Sequence, residues 1–219
     1  MRRRTQWGHW AWIGSLLAGL MTTTPGCVGL LANVLHAVYG NNIPAKYEGL
    51  EGKRVALLCR TDAGFSGDAT SSILSSSIHA ALSMNVKDID MVRQSEIEQW
   101  LDAHSWDDSD YVEIGKGVQA DRLVVVEVSN LQLKNGQTLY QGRANVTVTV
   151  YEIPSGKLVF REQMPEFVFP STGGMPVTET TETKFRSFFL QVITRRVAGL
   201  FYPVDATSDV ALDATASGI

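Results

Sequence analysis

LVVVEVSNLQLKNGQTLYQGRANVTVTV, residues 123 to 150, decides the fold class. Leu123 to Ser129 is apolar except for Glu127, which predicts a strand buried at least in its first half. Lys134-Asn-Gly-Gln137 follows, and Asn-Gly predicts a two-residue type I′ hairpin turn. Beyond it the period is strictly two: Tyr140, Ala144, Val146, Val148 and Val150 fall on one side, and Gln141, Arg143, Asn145, Thr147 and Thr149 on the other. One face of the resulting sheet is covered and one is wet. Pro154-Ser-Gly156 turns the chain again, and Lys157 to Met164 predicts a third antiparallel strand. Glu127 and Arg143, one on each strand of the hairpin, are expected to form a structural ion pair.

Upstream the period is helical. Arg54 to Cys59 predicts a buried strand, and Thr61 to Asp68 a loop. A helix is predicted over Thr70 to Ser83, with Ile73, Leu74, Ile78, Ala81 and Leu82 on its apolar face and Ser75, His79 and Ser83 outside. A second short strand spans Asp88 to Val92. Ser95 and Glu98 have the spacing of a capping box for a helix reaching His104. Asp107, Asp108 and Asp110 lack the glycine and distal glutamate of a calcium loop and are read as the negative start of the next helix. Downstream, Pro165 to Pro176 reads as a loop. A last helix begins near Thr180, its stripe being Phe185, Phe188, Phe189, Val192, Ile193, Val197, Leu200 and Phe201. The order strand, helix, strand, two helices, three-strand meander, helix is that of an α/β (α+β) sandwich. It has a mixed sheet of about five strands, with helices mainly on one face.

The ends of the chain have a different character. Arg2, Arg3 and Arg4 precede the short apolar run Trp10 to Met21, the charged and apolar regions of a secretory signal. Gly26 then stands before Cys27, and the stretch resembles a bacterial lipoprotein signal, with Thr24 where such signals carry leucine. The resemblance implies a diacylglycerol on Cys27 and residues 1–26 as a cleaved signal. Residues 27–51 are read as lipid attachment, an apolar helix over Val28 to Tyr39 and a linker. Residues 52–203 form a single domain, and 204–219 a disordered tail. The Val28 to Tyr39 run lies on the bilayer, packs on the domain or pairs with an uncleaved leader; His36 within it is a helix residue and not a ligand.

Of 219 residues, nineteen are basic and twenty-three acidic, a formal charge of −4. Loss of residues 1–26 removes three arginines and no acid, leaving sixteen against twenty-three and a charge of −7. Such a balance argues against nucleic acid as a partner. Two cysteines, Cys27 and Cys59, give neither a disulfide framework nor a zinc pattern, and Cys59 reads as a buried structural thiol.

Arg54-Val-Ala-Leu-Leu, Ile89-Asp-Met-Val-Arg-Gln, Ile114-Gly-Lys-Gly-Val-Gln-Ala-Asp-Arg-Leu-Val-Val-Val-Glu-Val and Val148-Thr-Val-Tyr-Glu-Ile-Pro-Ser-Gly-Lys-Leu-Val together resemble the CsgG and TolB N-terminal type of periplasmic domain, over residues 54 to 163. The resemblance implies a domain like the anticodon-binding folds, in a lipoprotein that assembles with envelope partners. It carries over no catalytic, metal or cofactor residues. The chain departs from the curli secretion channel in having no pair of long amphipathic membrane hairpins.

Two function classes follow. One is a non-catalytic, membrane-tethered envelope lipoprotein that faces the periplasm from either membrane. It binds envelope proteins or itself through the sheet edge after Lys157 and the Pro165 to Pro176 loop. The other is a small-ligand-binding or hydrolytic domain using the Thr61 to Asp68 loop, which lacks the lysine of a phosphate loop. Convergence of Asp62, Asp68 and His104 would mark that second class.

Overall fold

The computed structural model describes residues 42–62, 69–104 and 110–205. Cys27, the Val28 to Tyr39 run, Asp68, Asp107, Asp108 and the residues after 205 lie outside them. The strands are β1 (Asn42–Ile43), β2 (Arg54–Thr61), β3 (Asp90–Met91), β4 (Arg122–Asn135), β5 (Leu139–Glu152), β6 (Lys157–Phe169), β7 (Met175–Pro176) and β8 (Val204–Asp205). The helices are α1 (Ala69–Asn85), α2 (Gln94–Ala103), α3 (Tyr111–Gly117) and α4 (Glu182–Ala198).

The main sheet has the order β3-β2-β4-β5-β6, with β7 pairing the start of β5. β3 and β4 run parallel to β2, and the β4-β5-β6 meander is antiparallel, so the sheet is mixed. Alternation sorts the side chains. Val124, Val126 and Val128 of β4 join Val146, Val148 and Val150 of β5 in a core beneath α1 and α4, where Phe185, Phe189 and Ile193 meet them. Leu123 and Val125 point the other way, into a smaller core with Ile97 of α2 and Ile114 of α3. The two 17-residue helices thus cover one face, and two short helices cover part of the other.

Several expectations are corrected in detail. α1 presents Thr70, Ser71, Leu74, Ser75, Ile78 and Leu82 inward, while Ile73 stays 41% exposed. Small hydroxyl side chains let the helix approach β2 closely, and the buried Cys59 thiol meets Ser75 there. The hairpin is not type I′: Asn135 still pairs Leu139, three residues form the loop, and positive φ falls on Gly136 alone among them. α2 begins at Gln94 after Arg93, which supplies no side-chain cap, so Ser95 lies within the first turn and forms no capping box. Asp110, in contrast, caps α3 by accepting the Glu113 N–H at 3.3 Å. Thr181 does the same for Lys184 at the start of α4.

The Pro165 to Pro176 segment is only partly a loop. β6 continues to Phe169, passing Pro165 at a register shift between the Val146–Met164 and Ala144–Phe167 pairs. A proline is tolerated there because β6 is an edge strand and the bulge leaves one residue unpaired. The packed region is also wider than 52–203. Leu50 is fully buried, β1 pairs β8, and the N–H groups of Lys46 and Tyr47 both donate to the Leu200 carbonyl.

Candidate functional site

β6 is the outer strand of the meander: it pairs β5 along one side, and among the described residues no strand pairs the other. Register shifts near Tyr151 and near Pro165 bracket a regular stretch, Phe160-Arg-Glu-Gln-Met164, paired without interruption to Val150 through Val146. A regular five-residue edge exposes N–H and C=O groups able to accept a further strand. Its side chains alternate. Phe160 and Met164 pack toward the main core, whereas Arg161 and Gln163 are exposed on the opposite face. Leu158, just before the stretch, is 44% exposed.

The edge is supported from the helix side by the segment before β2. Tyr47 stacks on Phe160 with centroids 5.2 Å apart and meets Phe201 edge-on at 6.3 Å, while Lys46 Nζ pairs Glu162 Oε1 at 2.6 Å. After β6, Pro170 accepts from the buried Gln141 amide at 3.1 Å, and the chain returns as β7 to pair Leu139 and Tyr140. The Gln141 carbonyl oxygen accepts from Asn135 and from Arg143. The loop between β6 and β7 is thereby anchored to the sheet.

Glu127 and Arg143 are not brought together. Glu127 stands opposite Thr147 on β5 and opposite Arg60 on β2, and accepts from the Tyr111 hydroxyl at 3.3 Å. Arg143 stands opposite Gln132 and donates to Gln141. Four residues of β5 separate Arg143 from Thr147, roughly 13 Å of strand. Burial raises the Tyr111 phenol, with the hydrogen bond to Arg60 opposing that shift and the Glu127 charge adding to it.

Of the three residues that would mark the second class, Asp62 and His104 are described, and each has a partner of its own. Asp62 spends one carboxylate oxygen on the Asn130 N–H at 2.7 Å. His104 stacks on Trp100 with centroids 4.4 Å apart, and its Nδ1 lies 2.8 Å from the Trp100 carbonyl. Asp68 is outside the described residues. Cys59 is fully buried and its thiol is pushed up to about 12 by burial, with Ser75 opposing the shift, which leaves it protonated at neutral pH and unsuited to attack a substrate.

A charged cluster at the opposite end of β2 has a structural role. The Arg54 guanidinium bonds Asp90 at 3.0 Å and Glu96 at 2.9 Å, the Arg54 backbone N–H donates to Asp121, and Arg122 pairs Glu152 at 3.0 Å. The Asp90 hydrogen bond chiefly holds the Arg54 guanidinium above its ordinary value. Asp90 and Glu96 share the Arg54 cation, Glu152 has Arg122 and Asp121 accepts a backbone N–H, so the cluster ties β3, α2 and the meander to the start of β2. Among the described residues no group of His, Cys, Asp and Glu side chains has the geometry of a metal site, and no helix is long and apolar enough to cross a membrane.

No family model matches the chain, and no curated protein does. Solved structures with a similar arrangement include a PelC dodecamer from Paraburkholderia phytofirmans, at 10% identity over 72% of this chain and 90% of that one, TM-score 0.42. A lipoprotein from Neisseria meningitidis matches at 8% identity over 67% and 98%, TM-score 0.42. The LpoB C-terminal domain from Salmonella enterica matches at 14% identity over 52% and 82%, TM-score 0.36. Likenesses of this grade assign neither a family nor a function.

Proposed function

We propose that the chain is a membrane-tethered envelope lipoprotein whose α/β domain is a non-catalytic protein-binding module, with β6 as its binding edge. The observation that carries this reading is the uninterrupted Phe160–Met164 edge. It lies on the outside of a sheet whose opposite edge, β3, has only two residues. Strand addition needs no catalytic side chain: backbone groups supply the affinity, and alternate side chains select the partner. Here the selecting residues are the exposed Arg161 and Gln163, since Phe160 and Met164 pack on the core and Glu162 holds Lys46. The Arg2 to Met21 leader pattern and the Gly26-Cys27 step support a lipid on Cys27, which would hold the domain at a membrane in the periplasm.

The test is a photo-crosslinking scan of the full chain in its membrane. A crosslinker at Leu158, Arg161 or Gln163 is expected to give adducts of one shared mass, absent when it stands at the exposed Met84 or Lys87, at the end of α1 over β2, three strands from β6. Equal adducts at all five positions, or none at the three β6 positions, would overturn the reading.

A further inference from the structure

β4 outlasts its neighbour on the β2 side. The β2–β4 ladder ends at the Thr61–Val128 pair, and the next contact is the Asp62 carboxylate on the Asn130 N–H. From there to Asn135, β4 pairs β5 on one side only; among the described residues no strand pairs the other side. The β4–β5 register shifts twice here, and the left-handed Asn130 has already given its N–H to Asp62, so the extended edge able to accept a strand is Leu131 to Asn135. A groove of about 430 Å³ runs beside it, lined by Leu131, Gln132, Leu133, Lys134, Glu182 and Arg186.

The groove has a polarity. Leu131 and Leu133 turn toward the main core and form an apolar floor, while Gln132 and Lys134 are exposed. Of the three charged residues lining it, two are cations. Lys134 Nζ lies 3.0 Å and Arg186 Nη2 3.4 Å from Glu182, so one carboxylate serves both and the lining carries a net charge of +1. In a chain of net charge −4, that is a local reversal of sign. Lys134 also lies 5.7 Å from the Tyr140 ring centroid, which holds its ammonium near the groove.

We propose that the edge of β4 over residues 131–135, which no strand among the described residues pairs on the β2 side, docks an extended acidic peptide of a partner protein. The peptide would lie as an added strand, with a carboxylate received by Lys134 and Arg186. This edge is separate from β6, and either can fail without the other.

The experiment uses the full chain in detergent micelles and two fluorescent, blocked heptapeptides. Both alternate valine with threonine; one carries two central aspartates and the other two lysines in their place. The aspartate peptide is expected to bind, to shift the amide resonances of residues 130–135 and not those of 160–164, and to weaken as salt rises. Lys134→Glu and Arg186→Glu, each a surface change, are expected to weaken it about tenfold with an unchanged circular dichroism spectrum. Equal binding of both peptides, shifts confined to β6, or no binding would overturn the proposal. So would self-association of the chain that shifts 130–135 without peptide, since a second copy would then be the occupant.

Discussion

The carboxylate of Asp62 accepts the backbone N–H of Asn130 at 2.7 Å, across 68 residues of sequence. Asn130 has φ of +55°, and the bond holds this left-handed residue where the β2–β4 ladder stops. Asp62→Ala is expected to lower stability by about 1 kcal/mol, the usual worth of such a bond. The check is the denaturant midpoint at an unchanged slope. No loss of stability would mean that water replaces the carboxylate.

Gly142 faces Phe189 so closely that a β carbon there would stand 2.5 Å from the ring. Gly142→Ala is therefore expected to cost about 1–3 kcal/mol by overpacking. Phe189→Leu, which shortens the ring's reach, is expected to cost less in the Gly142→Ala background than alone. Calorimetry of the two single variants and the double variant measures this; strictly additive losses would contradict the contact.

Cys59 supplies a pH-dependent prediction. Its thiol titrates at about 12 in the fold against an ordinary 9.0, because burial penalises the thiolate. A raised thiol favours the fold while the unfolded chain is also protonated, so this contribution is fully present below about pH 9. Above it the unfolded chain ionises first, and stability is lost as pH rises toward 12. In a Cys27→Ser background, iodoacetamide at pH 8 is expected to leave Cys59 unmodified in the native protein and to label it after unfolding. Labelling of the folded protein at the unfolded rate would contradict its burial.

Glu127 tests the strand register. Arg60 is its cross-strand neighbour on β2, whereas Arg143 is four residues out of register on β5. A double-mutant cycle of Glu127→Gln with Arg60→Gln is expected to give a coupling of about 0.2–1 kcal/mol. The cycle with Arg143→Gln is expected to give a coupling close to zero. The reverse order would contradict the observed register.

These residues also mark what was legible in the sequence. The apolar run from Leu123 and the period-two stripe of Val146 to Val150 announced the central hairpin, because burial of both faces leaves a continuous run and burial of one face leaves its trace in every second residue. The aromatic stripe of α4 was legible for the same kind of reason. Register was not. The three-residue loop and the shift between Ser129 and Gln132 move Arg143 away from Glu127, and neither leaves a mark in hydrophobicity. Ser75 read as exposed because it is polar, yet small buried side chains such as Ser71 and Ser75 are what let α1 approach β2. Pro165 read as the end of a strand, and a bulge on an unpaired edge absorbed it. The β6 edge itself was foreseen from the meander, since its third strand had no successor in sequence to pair with. The end of β4 that no described strand pairs on the β2 side depends on how far β2 runs beside it, a length the sequence does not mark.

The claim on which the functional reading turns is that a lipid on Cys27 holds this domain at a membrane. The direct measurement is the intact mass and N-terminal peptide of the chain recovered from a bacterial membrane, beside Cys27→Ser. A chain that starts at an acylated Cys27, with acylation and membrane recovery both lost in the variant, is the predicted result. A chain that keeps Met1 and a free Cys27 thiol would contradict it.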